Sequence, residues 1–513
     1  MTTTSKFTAG RVLCLAGLAT SSLACVGVLA AAATSDDQII EGYPVVGTAD
    51  AKTTLTTKTL TGGKSRVHAR YGPIHVSPGQ NVNALAVGLP GPGISGHITR
   101  FAYNLEYPNG KIPGVDVLHL HHAVWSVDNN TFPGGEEKTV FSVPEGYGWK
   151  VDANRQWVLN HMIHNLFPTR TDVFLTWDMD IIAEGSPPSK NIRTVGSLFM
   201  DVRQNEAYPV FDVARGSGTN SSFTYPDQAK NPYGGGTPLN RFVAPTDGVA
   251  VAAGGHIHPG GRFTDLKITR GRRTVNVFRS VAKYYEPAGP VSWDMATTYT
   301  PSDWRVAYKK DDIVTVSATY ETKRASWYES MGIMTVAIEP EGKGGVDPFT
   351  GRLNRRGQTT HGRLPENGNH GGTRATFTDP RPLADGPRMA TTAPITIENF
   401  ASSQGDLSLK GSLARPPVIA KGSALLFVNA DAKDDIYHSI TSCQAPCNRD
   451  TGVAYPLADG PYAFDSGELG FGPEETTAAA NVDRWSTPKS LPVGTYTYFC
   501  RIHPFMRGAF RVK

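Results

Sequence analysis

Between residues 26 and 442 the chain has no cysteine, which excludes any disulfide within that span. Long amphipathic helical patterns are scarce, so a helical bundle or an alternating α/β fold is not expected. No G-x-G-x-x-G opens a helix, and "TGGKS" at 61–65 lacks the upstream glycine of a phosphate-binding loop. A formal charge of +4, thinly scattered, is too small to argue for an anionic membrane surface or for nucleic acid, and no nucleic-acid partner is expected. What is abundant is turn chemistry, with 54 glycines and 37 prolines among 513 residues.

The first 33 residues stand apart. Lys6 and Arg11 precede an almost uncharged apolar run from Val12 to Ala33, followed by "TSDD". This is the pattern of an export signal with a small-residue cleavage site. The expected location is therefore extracellular, periplasmic or cell-surface, with membrane anchoring if the segment stays uncleaved. Cysteine usage fits an oxidising compartment. Beyond the leader only Cys443, Cys447 and Cys500 remain, and the pair in "TSCQAPCNRD" is expected to form a disulfide. Cys500 is then left as a lone thiol.

Short β-branched and aromatic runs divided by Gly, Pro, Asn and Asp fill the region from 50 to 340, as in "DVFLTWDMDII", "GVAVAAGGHIH" and "DIVTVSATYET". Such spacing predicts an all-β chain with two tandem jelly-roll-like β-sandwich domains, at 50–205 and 206–340. Residues 341–390 are rich in Gly, Arg, Pro and Thr without apolar periodicity, and read as a linker. A last β-sandwich spans 391–513.

That final segment ends in "YFCRIHPFMRG", where Cys500, His503 and Met506 follow a C-x2-H-x2-M spacing. A thiolate, an imidazole and a weak thioether suit copper that switches between Cu(I) and Cu(II). A blue-copper site needs a second histidine, and His438 in "DDIYHSIT" sits beside β-forming residues that could deliver it. The segment resembles the cupredoxins, and "CRIHPFMRGAFRV" is similar to the short ligand loop of the amicyanins. The resemblance covers about 394–513. It implies a Greek-key sandwich with His438, Cys500, His503 and Met506 as ligands of one type 1 copper. The stretch 443–475 is longer than a minimal cupredoxin needs.

Seven of the fourteen histidines lie upstream in three groups, "VLHLHHAVW", "VLNHMIHNL" and "AAGGHIHPGG". In the last, His256 and His258 at i and i+2 of a strand project from one face and can grip one ion. Imidazoles alone suit copper or zinc equally. Strand alternation pairs His119 with His121 and sends His122 to the other side. "YESMGIMTVAIE" contributes Met331 and Met334, in a strand where methionine is ordinarily a core filler.

Together these pieces resemble the ascorbate-dependent copper monooxygenases, the peptidylglycine α-hydroxylating and dopamine β-monooxygenases. The resemblance spans about 60–340 and implies two further mononuclear coppers. His121, His122 and His164 would hold an electron-transfer copper. His256, His258 and Met331 would hold the oxygen-activating, catalytic one. His164 is preferred to His161 because "MIHNL" precedes "TDVFLTWDMDI" as in the family. Met331 is preferred to Met334 because it follows Glu329. Family disulfides and substrate-anchoring residues have no counterpart here. The implied function is O2-dependent hydroxylation of an organic substrate, fed by ascorbate or a redox partner through the fused blue-copper domain. The alternative is a non-catalytic copper-binding electron-transfer protein.

Overall fold

The computed structural model describes residues 50–513 except 78–80, 116, 167–168, 204–208, 230–239, 286–292, 324–326, 365–388, 391–392, 408–415, 435, 437, 444–462, 471–482, 502 and 504–505. The leader, residues 1–33, lies outside the described residues, as do His370, Cys447 and most of the 443–475 stretch. The chain is all-β. Among the described residues the only helical turns are three short 3-10 segments.

The first core lies between two antiparallel sheets. One contains Lys52–Thr59, Lys64–Val76, Thr171–Ala183 and Gly96–Glu106; the other contains Asn81–Leu89, Trp157–Asn165, Leu118–Val127 and Asn130–Gly134. Period-2 patterning explains the inward face: Val67, Ala69 and Tyr71 are buried while the residues between them are only half-buried. Phe101 stacks on Phe132 and Trp157, with Trp125 and Trp177 alongside.

The second core gathers Leu198, Phe211, Leu266, Phe278, Trp304, Val316 and Met334. The two sandwiches are continuous. Strand Arg193–Asp201 pairs at its start with Tyr147–Trp149 and further on with Ile333–Ile338. The neighbouring strand Gly248–Ile257 is buried at every position. It sends Val249 and Val251 into the first core and Ala250 and Ala253 into the second. A strand covered on both faces has room only for small side chains. A Cβ on Gly254 would fall 2.4 Å from the Tyr299 ring, and one on Gly255 would fall 2.1 Å from Thr264 Oγ1. This strand delivers His256 at its buried end.

Residues 341–364, the first half of the expected linker, run along the upstream module. Gln358–Thr359 pair with Thr298–Tyr299, Gly362 N–H donates to Lys138 O, and Arg363 bonds to Glu106 at 2.8 Å. Phe349 and Leu353 pack against the second core and polar bonds hold the remainder, too few apolar anchors to give a periodicity.

The C-terminal segment is a third sandwich. One sheet orders Met389–Ala390, Pro417–Ile419, Arg507–Val512, Gly494–Phe499, His438–Cys443 and Asp465–Leu469; the other orders Ala401–Ser402, Ile395–Glu398, Leu426–Asn429 and Arg484–Ser486. Its core includes Ile395, Ile397, Phe427, Ile440, Tyr498 and Phe510.

Truncating a ring in the first core should be costly. Trp125→Ala is expected to lower unfolding free energy by about 3–5 kcal/mol, measured by denaturant titration. A loss below about 1 kcal/mol would contradict this packing.

Candidate metal centres

In the C-terminal sandwich, His438 opens a strand that pairs with Asp465–Leu469 and with Thr497–Phe499, and Cys500 directly follows the latter. The sheet therefore brings two residues 62 apart in sequence to one point. The Cys500–Met506 turn closes on itself: Cys500 N–H donates to Met506 O, and Met506 N–H donates to His503 O. This brings back His503. The Nδ1 atoms of His438 and His503 are 3.1 Å apart, and Cys500 Sγ lies 3.8 and 3.7 Å from them. The centre of that triangle is roughly 2.1 Å from each donor, close to a first-row metal–nitrogen bond length. All three residues are buried, and Met506 is buried beside Cys500, lining the same small cavity.

Orientation comes from the surroundings. His438 Nε2–H donates to Asp431 Oδ2 at 2.9 Å, which leaves the Nδ1 lone pair directed at Cys500 and His503. Asp431 is itself held by the backbone N–H groups of Asn399 and Phe400, both in the left-handed region at φ 52° and 60°. Burial alone would push the Cys500 thiol up. Protonated His438 and His503 rings beside it would hold it well below the ordinary range instead, the place a cation takes when both rings are neutral, and Ser439 N–H donates to the sulfur at 3.3 Å. The donor set fits copper. Cys443 is disulfide-bonded, and Cys447 lies outside the described residues.

The upstream histidines converge as well. A β-bulge between Leu120 and His122 shifts the register of strand Leu118–Val127 against Trp157–Asn165. Before it, Leu118 and Leu120 face the core; after it, Ala123, Trp125 and Val127 do. The alternation that sent His122 to the opposite side of His121 is therefore broken. The bulge re-aims one residue, and the Nδ1 atoms of His121 and His122 face each other at 3.0 Å. His122 Nε2–H donates to Asn160 Oδ1 at 2.6 Å and lies 3.2 Å from Asn83 Oδ1, so its Nδ1 is the bare nitrogen.

His256 and His258 behave as the i, i+2 geometry predicts. Their Nε2 atoms are 3.1 Å apart. His256 Nδ1–H donates to Glu137 Oε1 at 3.0 Å, and His258 Nδ1–H donates to the Glu329 carbonyl at 2.5 Å. Acceptors on both Nδ1 atoms leave both Nε2 lone pairs aimed at one point, the arrangement of metal-binding imidazoles. Gly135 lets this approach happen, since a Cβ there would fall 2.7 Å from His256 Cε1.

The two histidine groups expected as separate copper sites are contiguous. The rings of His121 and His258 are 4.2 Å apart, and those of His121 and His164 are 4.8 Å apart. Trp293 stacks on His119 at 4.5 Å and lies 4.7 Å from His258. His164 belongs to this chamber, whereas His161 projects to the other face, 6.3 Å from the Tyr71 ring. Met331 is buried with Val210 and Ile333, the latter opposite His256 in the sheet; Met334 fills the second core. His361, in the expected linker, is partnered by the Gly362 carbonyl.

The C-terminal site abuts this chamber. Burial, then His119, then His503 keep His164 well below its ordinary pKa. The guanidinium of the buried Arg501 lies 5.5 Å from the Trp327 ring. Trp327 opens the strand Trp327–Ser330, which carries Glu329. Residues that spacing did not reveal are Glu137, Glu329, Asn160, Trp293 and Asp431. Each reaches its histidine through space, and the only sequence hint was that Glu329 precedes Met331.

No family model matches the chain, and no curated protein matches it. Among solved structures it is similar to a novel purple cupredoxin from Nitrosopumilus maritimus, at 20% identity, covering 24% of this chain and 99% of that one, with a TM-score of 0.15. It is also similar to a cupin 2 conserved barrel domain protein from Leptotrichia buccalis, at 8% identity, covering 56% of this chain and 89% of that one, with a TM-score of 0.10. The likeness to a cupredoxin is distant, and neither neighbour is described as a monooxygenase. At these scores the metal assignment rests on the donor geometry alone.

Burial lowers the pKa of His119 and of His122 to about 3, and that of His161 to about 4, from 6.5. Each stays neutral when folded but takes up a proton on unfolding below pH 6.5. Stability of the metal-free chain should therefore fall as pH drops below 6.5, by about 1.4 kcal/mol per pH unit per group. Thermal unfolding at pH 7 and pH 5 checks this; equal midpoints would contradict it.

Proposed function

We propose that the chain is an exported copper oxidoreductase in which the C-terminal site passes electrons to an oxygen-reactive centre held by the upstream histidines, with hydroxylation of an organic substrate as the reaction. The single observation that carries this reading is the convergence of the bare Nε2 atoms of His256 and His258 at 3.1 Å, with His121 and His122 packed into the same chamber, which adjoins the His438–Cys500–His503 group. Copper bound to such donors supplies one-electron transfer at a thiolate site and dioxygen reduction at an imidazole site.

The chain's own residues divide the work. Cys500 is held as the thiolate, and Asp431 fixes the tautomer of His438. Glu137 and the Glu329 carbonyl do the same for His256 and His258. Burial keeps water from these nitrogens and strengthens each polar contact. His503 is buried and within electrostatic reach of His164, so the handover would be intramolecular, with ascorbate or a redox protein as the outside donor. The export signal at 1–33 and a disulfide between Cys443 and Cys447 belong to the same proposal. Met506 would join His438, Cys500 and His503 in holding one copper, and Met331 would join His256 and His258 in holding another.

A second reading, a copper electron-transfer protein without catalysis, is favoured by one observation. His119, His121, His164, His256 and His258 are each no more than 3% exposed. Oxygen uptake by the copper-loaded, reduced chain separates the two. Cys500→Ser should abolish the blue colour and slow turnover with a protein donor at least tenfold, while direct chemical reduction of the upstream centre is spared. His256→Ala should abolish uptake under both conditions. Equal loss in Cys500→Ser under both conditions would refute the wiring, and the absence of substrate-dependent uptake in the unaltered chain would refute catalysis.

A further inference from the structure

We propose that Glu329 is a metal ligand, completing with His121 and His164 a site for a divalent first-row cation that is separate from the His256–His258 pair. The proposal rests on the reading above for the presence of metal in this chamber, and adds a carboxylate donor and a position to it. One donor atom from each of His121, His164 and Glu329 lies within 4.8 Å of the others, and all three residues are buried. His121 offers Nδ1 to His122 at 3.0 Å and Nε2 to Glu329 Oε2 at 4.0 Å, so the two groups lie on opposite sides of one ring.

Two independent observations point to a ligand. His164 is 3% exposed, and neither of its ring nitrogens has a hydrogen-bond partner among the described residues. A buried imidazole so placed is costly unless something else binds it. Glu329 adopts φ 49°, a region that glycine occupies freely and glutamate does not. Its N–H donates to Asp212 Oδ1 at 3.4 Å and its carbonyl accepts from His258, so the backbone is held from both sides. The unfavourable conformation thus orients two histidine groups at once: the carbonyl fixes His258 and the carboxylate faces His121. Sites that keep such strain commonly keep it for function.

Two imidazoles and a carboxylate are a harder donor set than imidazole with thioether, and suit Cu(II) or Zn(II) rather than Cu(I). The test uses the full chain loaded with Cu(II), and in parallel Zn(II), with bound metal per chain determined by mass spectrometry after desalting. Glu329→Gln keeps the shape but cannot ionise; Glu329→Gly relieves the backbone. Both are expected to lose one divalent ion per chain, or to bind it about 100-fold more weakly, at the upper range for perturbed metal sites. The blue absorption of the Cys500 site should persist in both, and Glu329→Gly should unfold no earlier than the parent. Unchanged stoichiometry and affinity in both variants would overturn the assignment. If the parent chain itself bound no ion beyond the blue one, the upstream metal reading would fall and this site with it.

Discussion

A neutral imidazole carries one N–H and one lone pair, so an acceptor placed against one ring nitrogen decides where the other can bind. The candidate centres of this chain depend on that constraint. Asp431 settles it for His438, Glu137 for His256, the Glu329 carbonyl for His258, and Asn160 for His122. None of these acceptors is next to its histidine in sequence. The β-sandwiches serve to bring them there and to keep competing water out.

The same constraint explains several local irregularities. The bulge at His121 costs a regular ladder position but turns His121 and His122 to a common point. Gly135 allows His256 to approach, and the small residues of Gly248–Ile257 allow that strand to be buried on both faces. Asn399 and Phe400 adopt left-handed backbone to turn two N–H groups onto Asp431. These departures from ideal geometry cluster around the histidines, where local rules are expected to yield to a site.

Legibility in the sequence followed the range of the interaction. The all-β class was readable from short β-branched runs and turn residues. The C-x2-H-x2-M loop and "HIH" were readable because their donors lie on one loop or one strand face. His438 was harder, and its β context sufficed only because the loop demanded a second histidine. The orientation of His122 was not readable, since a bulge leaves no residue signature in "LHLHHAV". Nor was the contiguity of His121 with His258, which depends on how two sandwiches meet. Residues 341–364 looked like free linker because isolated anchors, Phe349 and Leu353 on the second core together with backbone and Arg363 bonds, hold them without a periodic apolar face.

The proposed copper sites require bare imidazole nitrogens and the Cys500 thiolate to converge on the metal. The most direct measurement is anomalous diffraction at the copper edge from crystals of the copper-loaded chain. The account predicts one peak bonded to His438 Nδ1, His503 Nδ1 and Cys500 Sγ, and another about 2 Å from both Nε2 atoms of His256 and His258. Copper confined to surface histidines, or bound through His438 Nε2, which now faces Asp431, and His256 Nδ1, which now faces Glu137, would contradict it.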